Sequence, residues 1–592
     1  MAIASNFPAI RPSLNLDFAN ARTLDPRITF SRASAATYYD GRTVAKAEEN
    51  LLAYSQNFIA GWARNTTVLS STELAPDSSL TASLIIPSIS GIRASMLRSG
   101  MVAGKTYTYS IFAKAAGKRW VNFQTGSGGT IPRVWWNVSE GTLGTTNNES
   151  ASITSVGNGW FRLSVTRVAD GGYVPWVFCD DNASDTATIN GNDGVIFWGA
   201  QVEERSQVTA YTPTTTQPIT NYTPVLQTAP AGVPRFDHNP LTGESLGLLV
   251  EEQRTNLLTY SEQFGDAIWG KDAATVAVNA AVAPDGNLTA DKLVENTATG
   301  THRIIGGGAL SLSSGTTYTV SIYAKAGERR YLMTNWNSAF NARSTFDLQT
   351  GTVASTFSGT ATITSVGNGW YRCTVTGTAT VNGIGTGYLH LNNSSISSDT
   401  SYTGDGYSGI YIWGAQLEAG AFPTSYIKTE ASQVTRVADS AQMTGSNFSS
   451  WYRQDEGAMA VAFSRASSPT TSPGVTHVVA AIKGTSDNHI LRVLPSGIDY
   501  LVYALGAYQV DTTTVPITDA SAVSAGFSYK VNDFSFSAKS AIHTDLSGNL
   551  PTNVDRLVIG GQAAGTELSG HIRRITYYPK RLTDTQLQAL TA

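Results

Sequence analysis

Apolar and polar residues alternate along most of this chain in short segments. Clear examples are residues 106–113, 160–165, 317–324 and 371–375, each bounded by Gly, Asn or Ser residues that favour turns. Alternation with a period of two predicts β-strands, and many short strands at spacings of about 10 residues are typical of antiparallel sandwiches. One helix is predicted, close to the C-terminus, where Thr583 can cap a helical pattern over residues 582–590.

A large module occurs twice in the chain. The octapeptide ITSVGNGW fills residues 153–160 and 363–370, NLLAYS at 50–55 returns as NLLTYS at 256–261, and WGAQVE at 198–203 returns as WGAQLE at 413–418. The offset between the copies grows from 206 to 215 residues, so the framework stayed while the loops changed length. Each copy is the size of a whole domain rather than of a solenoid repeat.

The repeats divide the chain into domains. Residues 50–215 form the first copy and residues 256–431 the second, while residues 432–592 carry no repeated motif and are predicted to form a third β domain. Residues 1–49 precede the first copy. Residues 216–255 lie between the copies, and the Thr- and Pro-rich stretch 212–234 reads as an extended connector.

The composition excludes some classes of function for this protein. Charged residues are only 14% of the 592, and Gly 55, Tyr 25, Phe 20 and Trp 12 fit an aromatic β protein. A net charge of -4 offers no basic surface for nucleic acid. The chain has no apolar run long enough for a membrane span and no secretion signal at its start, so we expect synthesis in a cytoplasm.

Three phrases resemble bacteriophage tail-fibre and head-fibre (head-spike) proteins: DPRITFSRASAATY at 25–38, PRFDHNP at 234–240 and GLLVEEQRTNLL at 247–258. In that family the phrases lie close together, whereas here the first copy separates them. We therefore infer that the first copy is inserted into a small N-terminal module, built from 1–49 and 216–255, that attaches the protein to the virion.

The remaining domains carry two further resemblances. Both copies resemble carbohydrate-binding modules of jelly-roll type, and the phrase at 568–582 resembles the end of laminin-G-like, concanavalin-like lectin sandwiches. The predicted fold is therefore all-β, with two duplicated jelly rolls followed by a lectin-like sandwich. The resembled fibres are commonly trimers, which implies a homotrimer bound to phage tail or capsid proteins.

Tryptophans are the candidate sugar-binding residues. Those that recur in both copies are expected to pack in cores: Trp62 with Trp269, Trp160 with Trp370, and Trp198 with Trp413. Trp135, whose counterpart is Thr345, is predicted by strand alternation to face outward, and Trp336 has the same freedom. Trp176 and Tyr388 are read as one aromatic position shared by the copies. These four residues are the predicted glycan contacts, and loss of Trp135 or Trp336 should leave stability nearly unchanged.

Acidic residues suggest two other kinds of site. The resemblance to jelly-roll modules implies structural calcium, for which the loop acids are candidates, although they also fit solvated loops: Asp180, Asp181, Asp185, Asp193, Asp399 and Asp405. Glu203 and Glu418 are the best-repeated acids. The sequence does not establish them as a catalytic carboxylate pair, and each can as easily close a hydrogen bond at a strand end. Cys179 and Cys373 fall at inequivalent positions and are expected to be buried free thiols.

The resemblance and the motifs together predict a virion fibre or spike protein, made in the host cytoplasm, that binds host surface polysaccharide. No enzyme activity is expected, because the seven His residues show no metal-binding spacing and the chain has no GxSxG motif. Two alternatives stay open. One is a polysaccharide depolymerase with a carboxylate pair, and the other is a decoration protein of the capsid or tail without a ligand.

Overall fold

The structure is a computed structural model. It describes residues 8–60, 62–64, 66–88, 94–98, 101–124, 133–146, 150–169, 174–184, 187–306, 310–396, 398, 401–465, 477–494, 496–512, 514–517, 522–561 and 566–592. Strands dominate throughout. The elements before the first copy are β1 (Leu14–Asp17), α1 (Phe18–Ala21), β2 (Thr29–Ser31) and β3 (Ala36–Asn50).

The first copy is a sandwich of two six-stranded antiparallel sheets. Its strands are β4 (Ala63–Arg64), β5 (Thr66–Ser70), β6 (Ser83–Pro87), β7 (Ala94–Arg98), β8 (Thr106–Ala116), β9 (Trp120–Gln124), β10 (Arg133–Asn137), β11 (Thr142–Thr146), β12 (Ser150–Ser155), β13 (Trp160–Val168), β14 (Val174–Cys179) and β15 (Gly194–Glu203). The sheet orders are β11-β10-β9-β14-β7-β4 and β12-β13-β8-β15-β6-β5. Ile111, Val134, Trp136 and Leu163 lie in the core between them.

Four strands connect the two copies: β16 (Ile219–Ala229), β17 (Arg235–His238), β18 (Ser245–Val250) and β19 (Arg254–Asn256). The second copy contains β20 (Gly270–Asp272), β21 (Ala274–Ala281), β22 (Ala290–Glu295), β23 (Thr299–Gly300), β24 (His302–Ile305), β25 (Leu310–Leu312), β26 (Thr317–Ala326), β27 (Tyr331–Asn335), α2 (Asn337–Phe340), β28 (Arg343–Asp347), β29 (Thr352–Ser358), β30 (Thr360–Gly367), β31 (Trp370–Thr378), β32 (Gly383–Gly385), β33 (Tyr388–Asn392), β34 (Tyr402–Thr403) and β35 (Gly409–Ala419).

The second copy repeats the topology of the first. Its two main sheets have the orders β29-β28-β27-β33-β24-β20 and β30-β31-β26-β35-β22-β21, so every strand matches its counterpart in the first copy. Each ITSVGNGW segment forms the same hairpin, β12–β13 or β30–β31. Both hairpin turns place Gly-Asn-Gly at positive φ, with Asn158 at 51° and Asn368 at 48°. The repeated glycines are needed because residues with a side chain rarely adopt this conformation. The shared topology and the shared turn confirm the predicted duplication.

The elements that follow the second copy, most of them in the third sandwich, are β36 (Val434–Arg436), β37 (Ser440–Thr444), α3 (Gly445–Ser449), β38 (Glu456–Arg465), β39 (His477–Gly484), β40 (Asn488–Leu494), β41 (Gly497–Ala504), β42 (Ala507–Asp511), β43 (Val523–Lys530), β44 (Asp533–Ala538), β45 (Ala541–Asp545), β46 (Val554–Ile559), β47 (Gly570–Tyr578) and α4 (Asp584–Leu590). The predicted cap is confirmed, since Thr583 and Gln586 form a capping box at α4. None of the helices in the described ranges is long and apolar enough to cross a membrane.

The N-terminal segments belong to the third sandwich. One of its sheets has the order β17-β18-β47-β38-β43-β44-β45, with β1 also paired to β47, and the other has the order β2-β37-β46-β39-β40-β41-β42. Leu14, Leu16 and Leu248 therefore lie in the same core as Phe527 and Ile575. The prediction of a separate small module at 1–49 and 216–255 is wrong, because these segments supply strands whose apolar faces need the core of residues 440–578.

Each copy is joined to the third sandwich by a pair of antiparallel strands, one at its start and one at its end. β3 pairs with β16 from Ala36–Ala229 to Asn50–Ile219, and the pair is called the ribbon below. The insertion of the first copy requires contact between 1–49 and 216–255, and this strand pair supplies it. β19 pairs with β36 from Arg254–Arg436 to Asn256–Val434. The second copy is therefore an insertion of the same kind as the first, which the sequence did not reveal.

A buried ion network holds the junction of the ribbon, the second copy and the third sandwich. Asp439 contacts Arg32 at 2.9 Å and Arg235 at 2.6 Å, and Arg235 contacts Glu251 at 2.7 Å. Burial alone would raise the pKa of Glu251, but the charges of Arg436 and Arg235 outweigh it and hold this pKa well below its usual value. The phrases that resemble fibre proteins thus supply Arg32, Arg235 and Glu251, while Asp439 lies outside them.

Candidate functional site

Two of the predicted sugar contacts are buried. Trp135 is 2% exposed and its Nε1 donates to the carbonyl of Ser184 at 2.5 Å. Trp336 is 1% exposed, stacks on Phe340 at 5.6 Å, and packs where Gly387 has no side chain. The expectation that these rings face solvent is wrong. Neither ring offers a face on which a sugar could stack.

A loop that covers the outer face of the sheet explains the burial of Trp135, whereas Trp336 belongs to the hydrophobic core of the second copy. In the first copy, Ser184 follows β14 and accepts from Asn122 as well as Trp135. In the second, the carbonyl of Ile396 after β33 accepts from Thr345 at 2.9 Å and from Asn392 at 3.1 Å. Strand alternation assigns a residue to a face, but it does not tell whether another segment lies over that face.

The other two candidates do not share one position. Tyr388 is half-buried, and the guanidinium of Arg303 lies 4.6 Å from its ring centre, so one face is occupied. Trp176 is the strand partner of Phe123. The counterpart of Phe123 in the second copy is Thr334, and its strand partner is Leu389. Trp176 therefore matches Leu389 and not Tyr388. Its side chain lies outside the described residues.

Three of the loop acids contact protein groups. Asp180 pairs with Lys118 and accepts from the amide of Thr188 at 2.8 Å. Asp405 accepts from the amides of Tyr407 and Ser408. Asp193 contacts Asn190, and Asp181 is exposed. The described ranges contain no group of three His, Cys, Asp or Glu that could hold a metal ion, while Asp185 and Asp399 lie outside them, so calcium stays a prediction.

The repeated glutamates and the cysteine have structural roles. Glu203 accepts from Thr209 and Glu418 from Thr424 at equivalent strand ends, as expected for the strand-end alternative. Burial raises the pKa of Glu203 despite these bonds. Cys373 is a buried free thiol whose pKa burial raises, whereas the side chain of Cys179 lies outside the described residues.

Each copy carries a second aromatic cluster, outside its sandwich core, on the outer face of the sheet that contains the ITSVGNGW hairpin. In the first copy it consists of Phe112, Trp160, Trp198 and Tyr211, and in the second of Tyr323, Trp370, Trp413 and Tyr426. Trp160 Nε1 donates to Leu74 at 2.9 Å and Trp370 Nε1 to Val282 at 3.1 Å. The recurring tryptophans Trp62, Trp160, Trp198, Trp269, Trp370 and Trp413 are buried, as predicted.

The ribbon covers the cluster of the second copy. Tyr39 and Leu226 pack into that cluster, and the amide of Leu226 donates to the carbonyl of Pro284 at 2.8 Å. Glu48 of the ribbon contacts Lys325 Nζ at 2.9 Å and accepts from Asn368 Nδ2 at 2.8 Å. The protein's own chain thus occupies this surface as a ligand would.

The equivalent surface of the first copy opens into a cleft of about 1170 Å³. One wall carries Lys114, Asn158, Trp160 and the loop 72–78 of the first copy. The opposite wall consists of residues 325–330, Asp405, Tyr407 and Tyr411 of the second copy. Tyr407 packs against the edge of the aromatic cluster. A large cavity between two domains, with aromatic rings and polar groups together, is the usual form of a ligand site.

Fixed charges in the cleft are paired locally. Lys114 contacts Glu73 at 2.8 Å, Glu328 contacts Lys292 at 2.7 Å, and Arg329 contacts Glu295 at 2.6 Å. Burial would raise the pKa of Asp405, but the hydroxyl of Ser408 and the amides of Ser408 and Tyr407 outweigh it and lower this pKa. Burial raises the pKa of Tyr407, so its phenol stays neutral. The cleft is polar and hydrogen-bonding, without a strong net charge.

Sequence reasoning missed this cleft because no single copy contains it. The usable signal was the repetition itself, since Lys114, Asn158 and Trp160 recur as Lys325, Asn368 and Trp370. Recurrence was read as packing, which is correct for the rings. It did not indicate that the same surface would be filled in one copy and open in the other.

No protein-family model matches the sequence, and no curated protein matches it. Among solved structures, the CBM40 domain of the Ruminococcus gnavus IT-sialidase, bound to alpha2,3 sialyllactose, is 14% identical over 24% of this chain and 84% of that chain, with a TM-score of 0.21. Domain 4 of a GH43 extracellular arabinanase from Geobacillus stearothermophilus, in complex with arabinotriose, is 10% identical over 29% and 84%, with a TM-score of 0.22.

The LG1-3 region of the laminin alpha2 chain is 10% identical over 84% of this chain and 98% of that chain, with a TM-score of 0.20. All three TM-scores lie below 0.5. These likenesses therefore carry no argument about the function of this chain.

Proposed function

We propose that this protein is a bacteriophage fibre or spike protein that binds a host surface polysaccharide in the cleft between its two copies. The observation that carries the glycan site is the unequal use of one repeated surface. The ribbon fills it in the second copy, and in the first copy it opens into about 1170 Å³. Such a volume accommodates several sugar rings, since pockets for drug-sized ligands measure about 300 to 1,000 Å³.

The chemistry of the cleft suits a sugar. Tyr407, which is half-buried, supplies aromatic surface, while Gln56, Asn158 and Gln349 supply amides that can donate and accept hydrogen bonds. The role on a virion rests on the phrases at 25–38, 234–240 and 247–258, as do the homotrimer and the attachment to tail or capsid proteins. In a trimer, weak sugar sites gain by avidity, by about 10² to 10⁴ in apparent affinity.

A glycan array probed with the full chain tests the glycan site, followed by titration of each hit. The variants Thr72→Trp and Gln349→Trp add bulk from opposite walls at exposed positions. Each should lower affinity about 10-fold or more with an unchanged melting temperature. Thr142→Trp, at an exposed position of the first copy away from the cleft, is the matched control.

The outcomes separate the alternatives. Hits that are insensitive to both cleft variants would place the site elsewhere, and an array without hits would contradict glycan binding. Release of reducing ends from a bound polysaccharide would identify a depolymerase instead. Labelling of intact particles with an antibody against the chain tests the virion assignment, which unlabelled particles would contradict.

A further inference from the structure

Lys114 and Asn158 of the first copy match Lys325 and Asn368 of the second residue by residue. Lys114 is the strand partner of Trp160 and Lys325 of Trp370, and each Asn lies in the Gly-Asn-Gly turn that precedes the tryptophan. The two side chains therefore lie at equivalent places on the repeated surface.

In the second copy this pair binds a carboxylate. Lys325 Nζ contacts Glu48 Oε1 at 2.9 Å and Asn368 Nδ2 donates to Oε2 at 2.8 Å, so each oxygen has its own donor. The Glu48 side chain is 3% exposed. Burial would raise the pKa of Glu48, but the Lys325 charge and the Asn368 hydrogen bond outweigh it, so this pKa lies below its usual value and the group is ionised.

In the first copy the pair faces the open cleft. Asn158 is exposed, and its amide has no hydrogen-bond partner within the part of the chain that the structure describes. Lys114 contacts Glu73, whose side chain is 48% exposed. The residue that matches Glu73 in the second copy is Ala281. A solvent-exposed ion pair of this kind is weak, because water screens the two charges, so a carboxylate that gains both donors can displace Glu73.

Resting on the proposed glycan binding, we infer that the cleft binds an acidic polysaccharide, with a sugar carboxylate on Lys114 and Asn158 in the way that Glu48 lies on Lys325 and Asn368. Glu73 then acts as an internal competitor for the ligand. The ligand class is a glycan with carboxylated sugars, such as uronic or sialic acids.

The test is titration of the full chain with carboxylated oligosaccharides, each beside its carboxyl-reduced counterpart: fragments of polygalacturonate, alginate and hyaluronan, and sialyllactose. Carboxyl reduction and Lys114→Met should each lower affinity about 10-fold or more, because a hydrogen-bonded charge is lost. Asn158→Gly keeps the backbone φ of 51° and should lower it less. Glu73→Ala should raise affinity by up to about 5-fold.

The control variants are Lys105→Met and Glu204→Ala, which remove a similar exposed pair outside the cleft. They should leave affinity unchanged. Equal binding of a glycan and its carboxyl-reduced form, with no effect of Lys114→Met, would overturn the carboxylate site while leaving glycan binding intact. Failure of every glycan on the array and in the titrations would overturn both proposals.

Discussion

At the scale of single residues, burial decides what each tryptophan does. We expect Trp135→Ala and Trp336→Ala to lower the free energy of unfolding by about 3 to 5 kcal/mol each, because both rings are almost completely buried. Tyr388→Ala is the control, since this ring is half-buried, and should cost about 1 kcal/mol. Chemical denaturation gives the three values. A loss below about 1 kcal/mol for both tryptophan variants would contradict their burial.

His489 is a residue whose titration should be visible in stability. It is buried in the third sandwich, accepts or donates at Tyr500 across 2.7 Å and stacks on Tyr529, and burial lowers its pKa to about 3. An unfolded His titrates near 6.5. As pH falls, the unfolded state therefore takes up the proton first, and stability present above pH 6.5 is lost between about pH 6.5 and 3.

The total loss would be on the order of 5 kcal/mol. His489→Phe keeps an aromatic ring among Tyr500, Phe527 and Tyr529 but cannot be protonated. We expect its stability to fall less steeply than that of the parent over this window. Denaturant titrations at several pH values measure the two slopes, and identical slopes would show that His489 is protonated in the folded protein as well.

At the scale of elements, one asparagine fastens the start of each copy to its last strand. Asn256 donates to the carbonyls of Ala415 and Ile427 and accepts from the amides of Leu258 and Leu417. Asn50 makes the same four bonds in the first copy. Both residues are completely buried. This explains why NLL and WGAQ recur together, although they are far apart in sequence.

We expect Asn256→Ala to destabilise the second copy by about 3 to 5 kcal/mol, because four buried backbone groups lose their partner. Asn256→Asp keeps the acceptor but not the two donors and should be nearly as harmful. Asn287→Ala, in an exposed turn of the same copy, should change stability by about 0.5 kcal/mol or less. Thermal unfolding of the three variants makes the comparison, and a mild Asn256→Ala would mean that water replaces the amide.

At the scale of the whole molecule, the third sandwich is the scaffold from which both copies project. The first copy leaves at Asn50 and returns at Ile219, which are strand partners. We expect replacement of residues 51–218 by Asn-Gly, a dipeptide suited to a two-residue hairpin turn, to leave a folded protein. Glycan binding should be lost, because half of the cleft is removed.

The matched variant replaces residues 257–433, which also lie between strand partners, by the same Asn-Gly dipeptide. It should be less stable than the first deletion, because it exposes Tyr39 and Leu226 and removes the partners of Glu48. Size-exclusion chromatography and calorimetry compare the two proteins. If the 51–218 deletion aggregated while the 257–433 deletion stayed soluble, this would contradict the claim that the remaining protein depends more on the second copy than on the first.

The sequence by itself determined the elements and the duplication. Alternating residues in 106–113 and 317–324 form strands because a period of two places apolar side chains on one face. The ITSVGNGW segments form the same turn because Gly-Asn-Gly suits positive φ. Thr583 begins α4 because its side chain caps the first turn. These features depend on neighbouring residues, which a sequence contains directly.

The tertiary structure alone decided which segments share a core and which surfaces stay open. Leu14 and Leu248 join the third sandwich through contacts with residues hundreds of positions away. Loops about 50 positions along the chain cover Trp135 and Thr345. The repeated lysine and asparagine have closely similar local sequence, yet Glu48 fills one pair and the cleft exposes the other. Local sequence sets a side chain's direction, whereas its environment depends on how the domains pack, and the cleft exists only through that packing.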